Sequence, residues 1–152
     1  MNILAILQNQ WMTNAAFHQK RSDELKSTDL EKWWRVRERQ IPFALFRGCK
    51  SGRILFDAFG AELCEKIVWE EASTTIGKRP SDCPPFDARH ILACLHRYRP
   101  EFVLTFGHVA RQGLIATGTE YPGYSLPHPC AREPGVYESF LATGKILCDR
   151  ML

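Results

Sequence analysis

The chain has 152 residues, of which 45% are hydrophobic and 24% are charged, and its formal net charge is +3. These values are typical of a globular protein with its own core, and they exclude the disordered and fibrous classes. The length predicts a single domain over residues 1–152. The small positive charge is compatible with a polyanionic partner but does not require one.

The six cysteines contain no C-x-x-C pair. Zinc and iron–sulfur sites commonly start from such close pairs, so we expect no metal site and no cofactor. The apolar run of residues 3–7 is too short to span a membrane and has no charged segment before it, so we expect neither a signal peptide nor a membrane partner. The cysteines are then best interpreted as reduced thiols in a cytoplasmic protein.

The first elements follow from apolar periodicity and capping residues. Apart from Asn2, residues 1–7 are apolar up to Leu7, which predicts a strand buried on both faces. Residues 14–26 are polar without a clear period and predict a loop with at most one short helix. Residues 28–31 (T-x-x-E) form a capping box, which predicts a helix as far as Arg39 that Pro42 ends.

The rest of the chain alternates between strands and helices. The predicted elements are a basic, glycine-containing loop from residue 43, a helix over 51–60, a strand over 66–69, a loop over 73–85, a helix over 87–98 capped by Asp87, a strand over 102–106, a helix between Gly107 and Gly118, a strand over 124–126 and a last helix after Pro134. This order predicts an α/β fold with right-handed crossovers and a mostly parallel sheet between helices.

Polar residues follow each predicted strand at the point where it ends. They are residues 8–11 (QNQW), 70–73 (EEAS), 107–108 (GH) and 127–130 (PHPC). In a parallel sheet the carboxyl ends of the strands meet at one edge, and ligand sites of α/β proteins lie beyond that edge. We therefore expect these four segments to converge on one site.

A basic stretch lies in the first half of the chain, with only Glu38 opposing its charge. Its members are Arg35, Arg37, Arg39, Arg47, Lys50 and Arg53. They could form a solvated helix face that leads into a basic loop, or a surface that follows phosphates. The sequence leaves both interpretations open.

Four segments resemble motifs of the uracil-DNA glycosylase superfamily. Residues 99–110 (RPEFVLTFGHVA) resemble its rP-x-vvvtlG-x-x-A segment, and residues 126–130 (LPHPC) resemble its HPS loop. Residues 8–10 (QNQ) lie where the superfamily has its water-activating motif, GQDPY or GINPG. Residues 46–55 are similar, with one extra residue, to PF-x-G-x-x-G-x-x-L. Because these segments cover nearly the whole chain in the right order, the chain resembles a small, divergent member of the superfamily.

The resemblance implies a three-layer α/β/α domain with a central four-stranded, mostly parallel sheet. It also implies a DNA glycosylase that hydrolyses the N-glycosidic bond of a damaged or modified base after flipping the nucleotide out of the stack. Such a site needs a polar group that places the attacking water and a donor that stabilises the departing base. The implied partner is DNA, single- or double-stranded, and we expect a monomer.

Two residues carry the catalytic roles that the resemblance implies. Asn9 matches the water-placing position, and His128, between two prolines, matches the histidine that donates to O2 of the base. From the residues alone, Asn9 could instead cap backbone groups at a strand end, and His128 could be a turn residue satisfied by the backbone. Because an asparagine is a weak base, any activity would depend on stabilising the leaving group.

The base-binding residues would surround Asn9. Phe46 matches the aromatic residue that stacks on the flipped base, although a single Phe in a loop could equally fill the core. Gln8, Gln10 and Trp11 flank Asn9 at the end of the first strand and would line the same pocket.

Glu70 or Glu71 stands where the superfamily reads uracil with an Asn at the end of the second strand. A carboxylate only accepts hydrogen bonds and would repel O4 of uracil. We therefore predict a base other than plain uracil, and an amino-bearing base such as a cytosine derivative would suit an acceptor. The alternative is that both glutamates form a solvated strand end.

The remaining candidate residues would contact DNA. They are Gly107, His108, Pro129, Cys130, Arg132 and Lys50. Gly107 opens a helix whose amino end could face an anion, or it could simply allow close packing of strand and helix. Arg132 could be a wedge or a phosphate contact, or an ordinary surface residue.

The chain also departs from the superfamily, since Leu7 and Gln10 replace the Gly and Pro of the first motif. These departures favour a second hypothesis, a non-catalytic member of the fold that binds nucleic acid or protein. A third is an N-glycosidic enzyme that acts on free nucleotides. The retained Asn9, Phe46 and His128 favour the glycosylase.

Overall fold

The structure is a computed structural model that describes residues 1–8, 10–11, 14–43, 49–79 and 81–151; for residues 10–11 and 39–43 it describes the backbone alone. The elements in chain order are β1 Ile3–Leu7, β2 Gln10–Trp11, α1 Ala15–Thr28, α2 Leu30–Phe43, α3 Lys50–Phe59, α4 Ala61–Lys66, β3 Ile67–Glu71, β4 Ile76–Gly77, α5 Ala88–Tyr98, β5 Phe102–Phe106, α6 His108–Ala116, β6 Gly123–Leu126 and α7 Val136–Met151.

Four parallel strands form the central sheet in the order β3-β1-β5-β6. Ile3 of β1 lies opposite Ile67 of β3 on one side and Phe102 of β5 on the other. β3 and β5, which follow β1 along the chain in this sheet, therefore lie on opposite sides of β1. The predicted α/β fold with a four-stranded parallel sheet is confirmed.

Side chains that alternate along β1 belong to two separate hydrophobic clusters, because successive residues of a strand point to opposite faces. Ile3, Ala5 and Leu7 pack with residues of α3, α4 and α7. Leu4 and Ile6 pack with residues of α2, α5 and α6. We call these two sides the α3/α7 layer and the α2/α5 layer. The sheet lies between them, as a three-layer α/β/α fold requires.

The first prediction that is wrong concerns α1, where a loop with at most a short helix was expected. Residues 15–28 form a helix of 14 residues in which only Ala15 is buried. Because so few apolar residues face the core, the sequence shows no helical period. The helix is held against α2 by Leu25, which packs on the α2/α5 cluster, and by the hydrogen bond from Trp33 Nε1 to Ser22 Oγ at 3.0 Å.

The start and end of α2 also differ from the prediction. The Thr28 hydroxyl bonds to the Glu24 carbonyl of α1 at 2.7 Å, and it is the Asp29 carboxylate that accepts from the Lys32 amide at 3.0 Å. The helix continues through Pro42 to Phe43. A proline one residue from the end disturbs only the last turn, so it does not stop the helix earlier.

The second strand extends further than predicted. β3 covers Ile67–Glu71, so Glu70 and Glu71 are buried strand residues, and the interpretation of a solvated strand end is wrong. The short elements α4 and β4 were not predicted. The positions of α5, β5, α6 and β6 agree with the prediction, including the Asp87 cap, which accepts from the amides of Arg89 and His90. Within the described ranges, no helix has the length and apolarity needed to cross a membrane.

Candidate functional site

The carboxyl ends of β1 and β5 meet where the strand order reverses, and Gln8 and Gly107 follow these two strands. Gly107 has φ 92°, and a Cβ placed on it would lie 2.1 Å from Gln8 Oε1. Gln8 Oε1 also accepts from the Val109 amide at 3.3 Å, in the first turn of α6. The positive φ therefore favours glycine here, a Cβ would displace the Gln8 amide, and Gln8 itself caps the start of α6.

An open cleft of about 570 Å³ lies beside this junction, between the end of β6 and the starts of α6 and α7. Its charged and polar walls include His108 and Arg111 from α6, His128 from the loop after β6, and Glu133. His108 and Arg111 are exposed, whereas His128 is half-buried. The cleft thus lies at the carboxyl edge of the sheet, where a ligand site was predicted.

His128 has a defined tautomer when neutral. Its Nδ1 accepts a hydrogen bond from the Cys130 amide at 3.1 Å, so the proton of the neutral ring is on Nε2. Its carbonyl accepts from the Ala131 amide at 2.8 Å, which fixes the turn. Burial holds the pKa of His128 below its ordinary value of 6.5. At neutral pH, His128 therefore offers the cleft a single N–H donor.

The loop after β6 is joined to the start of α3. Ser51 Oγ lies 3.2 Å from Cys130 Sγ. Pro129, which lies between His128 and Cys130 in the sequence, is buried. Cys49 caps α3 by accepting from the Gly52 amide at 3.2 Å. Lys50, the first residue of α3, is exposed at this same junction. The start of α3 and the loop that carries His128 are therefore in contact.

Glu70 belongs to a paired network in the α2/α5 layer. Its Oε2 accepts from Arg37 Nε at 3.0 Å and lies 2.9 Å from Arg37 Nη2, while its Oε1 accepts from the Tyr98 hydroxyl at 3.0 Å. Burial by itself would raise the pKa of Glu70, but the Arg37 charge and the hydrogen bonds of His90 and Arg37 outweigh it and hold that pKa below its ordinary value. Glu70 is a buried ion-pair partner with its acceptor oxygens in use.

One group in this network has the composition of a metal site. Glu70, His90 and Cys94 offer ligand atoms within 4.8 Å of one another. However, the Arg37 guanidinium lies 2.9 Å from Glu70 Oε2 and 3.4 Å from His90 Nε2, so a cation already occupies the position between them. Burial also raises the pKa of the Cys94 thiol, which opposes the thiolate that a metal needs. These residues do not fit a metal ion.

Glu71 is in a different environment, although it is the next residue. Its side chain is 7% exposed, and Oε2 has no hydrogen-bond partner among the described residues. Burial raises its pKa well above the ordinary value, the Arg37 charge opposes this, and the Glu70 charge adds to it. The thiols of Cys49 and Cys83 lie within electrostatic range of it. Burial without a hydrogen-bond partner among the described residues therefore shifts the pKa of Glu71 in the opposite direction from that of Glu70.

The structure brings some predicted residues together and separates others. Gly107, His108 and His128 line the cleft, and Gln8 lies directly beside Gly107. Glu70 points into the other layer, and Arg132 is exposed. Asn9 and Phe46 lie outside the described residues, and for Gln10 and Trp11 only the backbone, in β2, is described.

Sequence reasoning missed Arg111 and misjudged the basic stretch. Arg111 follows Gly107 by four residues, a helical spacing that could have placed it on the cleft side of α6. Arg37 is buried against Glu70, so it cannot follow phosphates. Arg35 and Arg53 are exposed, but their helices pack on opposite faces of the sheet. The described part of the stretch is not one surface.

No protein-family model matches the chain, and a search of curated proteins finds no similar one.

Proposed function

We propose that this chain is a DNA glycosylase-like enzyme that hydrolyses the N-glycosidic bond of a flipped damaged or modified base. The observation that carries the proposal is His128, because its neutral ring presents an Nε2–H donor beside a cleft of about 570 Å³ at the carboxyl edge of the sheet. A neutral donor suits a leaving group that becomes negative, since it supplies a hydrogen bond without needing a proton transfer.

The reaction would proceed in two steps. The bond between the base and the anomeric carbon breaks, and its electron pair leaves with the base as an anion, which His128 stabilises. The sugar becomes an oxocarbenium ion, and a water oxygen adds to the anomeric carbon while its proton is lost to solvent or to the departing base. Asn9 is the proposed residue that places this water, from its match to the motif.

The proposal of DNA as the partner is supported by Arg111 and by the two helix starts that border the cleft. His108 and Arg111 line it beside the starts of α6 and α7, and Glu133 is the acidic residue among its described lining. Helix starts carry partial positive charge and favour phosphate groups. Lys50 and Arg132 are exposed and would extend this contact. We propose that the protein acts as a monomer in the cytoplasm, where its six free thiols would stay reduced.

A non-catalytic nucleic-acid-binding role is the second candidate. It is favoured by Gln8, whose Oε1 accepts from the Val109 amide and so satisfies the start of α6 without a ligand. Retention of oligonucleotides without any cleavage would support this candidate over the enzyme.

The test is a panel of oligonucleotides, each carrying one damaged or modified base, scored for abasic sites. We expect His128→Ala to lower the cleavage rate about 100-fold or more, as loss of one transition-state donor does elsewhere, and Asn9→Ala to lower it too. His18→Ala, an exposed histidine of α1, is the matched control. Since the neutral ring is the working form, cleavage should increase as pH rises through the lowered pKa of His128, with a midpoint below pH 6.5. Unchanged cleavage in both site variants would place the chemistry elsewhere.

A further inference from the structure

Thr105 places a buried hydroxyl group in an otherwise apolar strand. Its side chain is 1% exposed, and the other residues of β5 are Phe102, Val103, Leu104 and Phe106. A buried hydroxyl group in a native protein is normally hydrogen-bonded, because leaving it without a partner costs free energy. The partner of this hydroxyl therefore shows what the threonine does at this position.

The partner of Thr105 is Ser125, which lies opposite it in β6. The Thr105 hydroxyl donates to Ser125 Oγ at 3.1 Å. Because Thr105 supplies the hydrogen of this bond, the hydroxyl hydrogen of Ser125 points elsewhere, and it has no acceptor among the described residues. Ser125 is exposed and lines the cleft, so the cleft receives a hydroxyl donor that is oriented from behind.

Ser125 lies on the face of the sheet that α6 covers. Val103, two residues before Thr105, belongs to the same hydrophobic cluster as Ala110 of α6. Alternation along the strands places Thr105 and Ser125 on this face, whereas Leu126 packs in the α3/α7 layer. The hydroxyl of Ser125 therefore belongs to the α6 side of the cleft.

Arg111 lines the cleft from α6 and adds a charged donor. It is exposed, and the ion pairs of the described residues do not include it. Glu133, the acidic residue of the lining, lies in the segment that leads to α7. An arginine without a carboxylate partner and an oriented hydroxyl in one cleft form a donor set that suits the oxygens of a phosphate group.

We infer that Ser125 and Arg111 bind a phosphate group on the α6 side of the cleft, and that Thr105 is the positioning residue that orients Ser125. Both binding residues lie outside the four segments on which the resemblance depends. Ser125 and His128 are three residues apart, so their Cα atoms are separated by at most about 11 Å. One nucleotide and its neighbour can therefore place a phosphate at Ser125 and a base at His128. The inference rests on the proposed function for the class of ligand, a nucleic acid.

The experiment measures binding of a short single-stranded oligonucleotide of ordinary bases to the full chain by fluorescence anisotropy at several salt concentrations. We expect Arg111→Gln to weaken binding about tenfold or more, and to lower the slope of log affinity against log salt by about 0.7, the value for one phosphate contact on a single strand. Ser125→Ala should weaken binding about tenfold without changing the slope, because it removes an uncharged donor. Arg35→Gln and Ser27→Ala, at exposed positions outside the cleft, are the matched controls.

The positioning role of Thr105 has its own test. Thr105→Val removes the bond to Ser125 and should weaken binding about threefold, whereas Thr105→Ser keeps the hydroxyl and should bind as wild type does. In a chain that already carries Ser125→Ala, Thr105→Val should have no further effect on binding, because Thr105 acts through Ser125. Urea unfolding checks that each variant is folded. A loss of affinity that Thr105→Ser does not restore, or an equal further loss in the Ser125→Ala chain, would overturn the positioning role.

Two further probes distinguish the source of the phosphate. Replacement of single phosphates of the oligonucleotide by uncharged methylphosphonates should weaken wild-type binding at one linkage, and Arg111→Gln should be insensitive to the replacement there. Thymidine 5′-monophosphate that binds more tightly than thymidine, with the difference lost in Arg111→Gln, would support the same site with a free nucleotide as its ligand.

Each outcome separates the phosphate site from the proposed enzyme. Wild-type affinity in both Arg111→Gln and Ser125→Ala would overturn the site, and the glycosylase would stand if abasic sites still form. Absence of binding of the oligonucleotide and of the nucleotide to the wild type would also overturn it. Binding that depends on both residues, without any abasic site in the panel of modified bases, would support the site and contradict the enzyme.

Discussion

Glu70 and Glu71 are adjacent in the chain, yet their side chains lie in two different regions of the molecule. In the α2/α5 layer, Glu70 is held by Arg37 and Tyr98, and it stays charged. In the α3/α7 layer, Glu71 has an oxygen without a partner among the described residues, and burial raises its pKa well above the ordinary value. The comparison shows that burial alone does not decide the direction in which the pKa of a carboxyl group shifts, because the available partners also decide it.

The largest expected effect comes from breaking the paired region. Arg37→Ala would leave the Glu70 carboxylate buried without its cation, and we expect the free energy of unfolding to fall by about 3–5 kcal/mol. Urea unfolding at pH 7 measures this. Arg35→Ala, at an exposed position of the same helix, should change it by no more than about 0.5 kcal/mol. Similar losses of unfolding free energy in both variants would show that the Arg37–Glu70 pair contributes no more to stability than an exposed arginine does.

Substitutions of the glycines at the two ends of α6 test the contact between Gln8 and Gly107. Gly107→Ala adds a Cβ that would meet Gln8 Oε1, and it strains a residue with φ 92°. We therefore expect the free energy of unfolding to fall by about 2–3 kcal/mol. Gly118→Ala, with φ 71° and nothing within 4 Å of the added Cβ, should cost only about 1 kcal/mol. Thermal or urea unfolding of the two variants distinguishes them, and equal losses would contradict the contact with Gln8.

The pH dependence of stability sharpens the comparison directly. The pKa of Glu71 is raised in the folded state, so its contribution to stability is greatest below its ordinary pKa of 4.5 and is lost as pH rises towards the folded value. Glu71→Gln should therefore gain stability relative to wild type as pH rises above 4.5.

Glu70 should behave in the opposite way. Its pKa is lowered, so its stabilising contribution is present above pH 4.5 and is lost as pH falls through the folded value. Relative to wild type, Glu70→Gln should therefore be least stable near neutral pH, and its deficit should shrink in acid. Urea unfolding at several pH values gives both curves, and parallel curves for the two variants would refute the opposite pKa shifts of Glu70 and Glu71.

The smallest expected effect concerns the link between α3 and the His128 loop. Ser51→Ala removes the contact with Cys130 Sγ at 3.2 Å, a weak sulfur hydrogen bond. We expect the free energy of unfolding to change by about 0.5 kcal/mol or less. If the loop is held mainly by this contact, the chemical shift of the His128 ring will move in the NMR spectrum. An unchanged ring signal would assign its position to the Cys130 amide alone.

The sequence determined the sheet and much of its surroundings, because the signals are local. Continuous apolar runs predicted β1 and β5, and Asp87 predicted the start of α5. The polar segments after the strands predicted the edge that holds His128 and Gly107. The resemblance supplied roles for Asn9 and Phe46, which lie outside the described residues and stay predictions.

Only the tertiary structure decided which glutamate has the lowered pKa and which has the raised pKa. Strand alternation places Glu70 and Glu71 on opposite faces, but the sequence does not say which face carries Arg37, which comes from a helix 33 residues earlier. The helix α1, without an apolar period, likewise depends on its packing against α2. Charge state and weak helices depend on long-range partners, and such partners are brought together only when the chain folds.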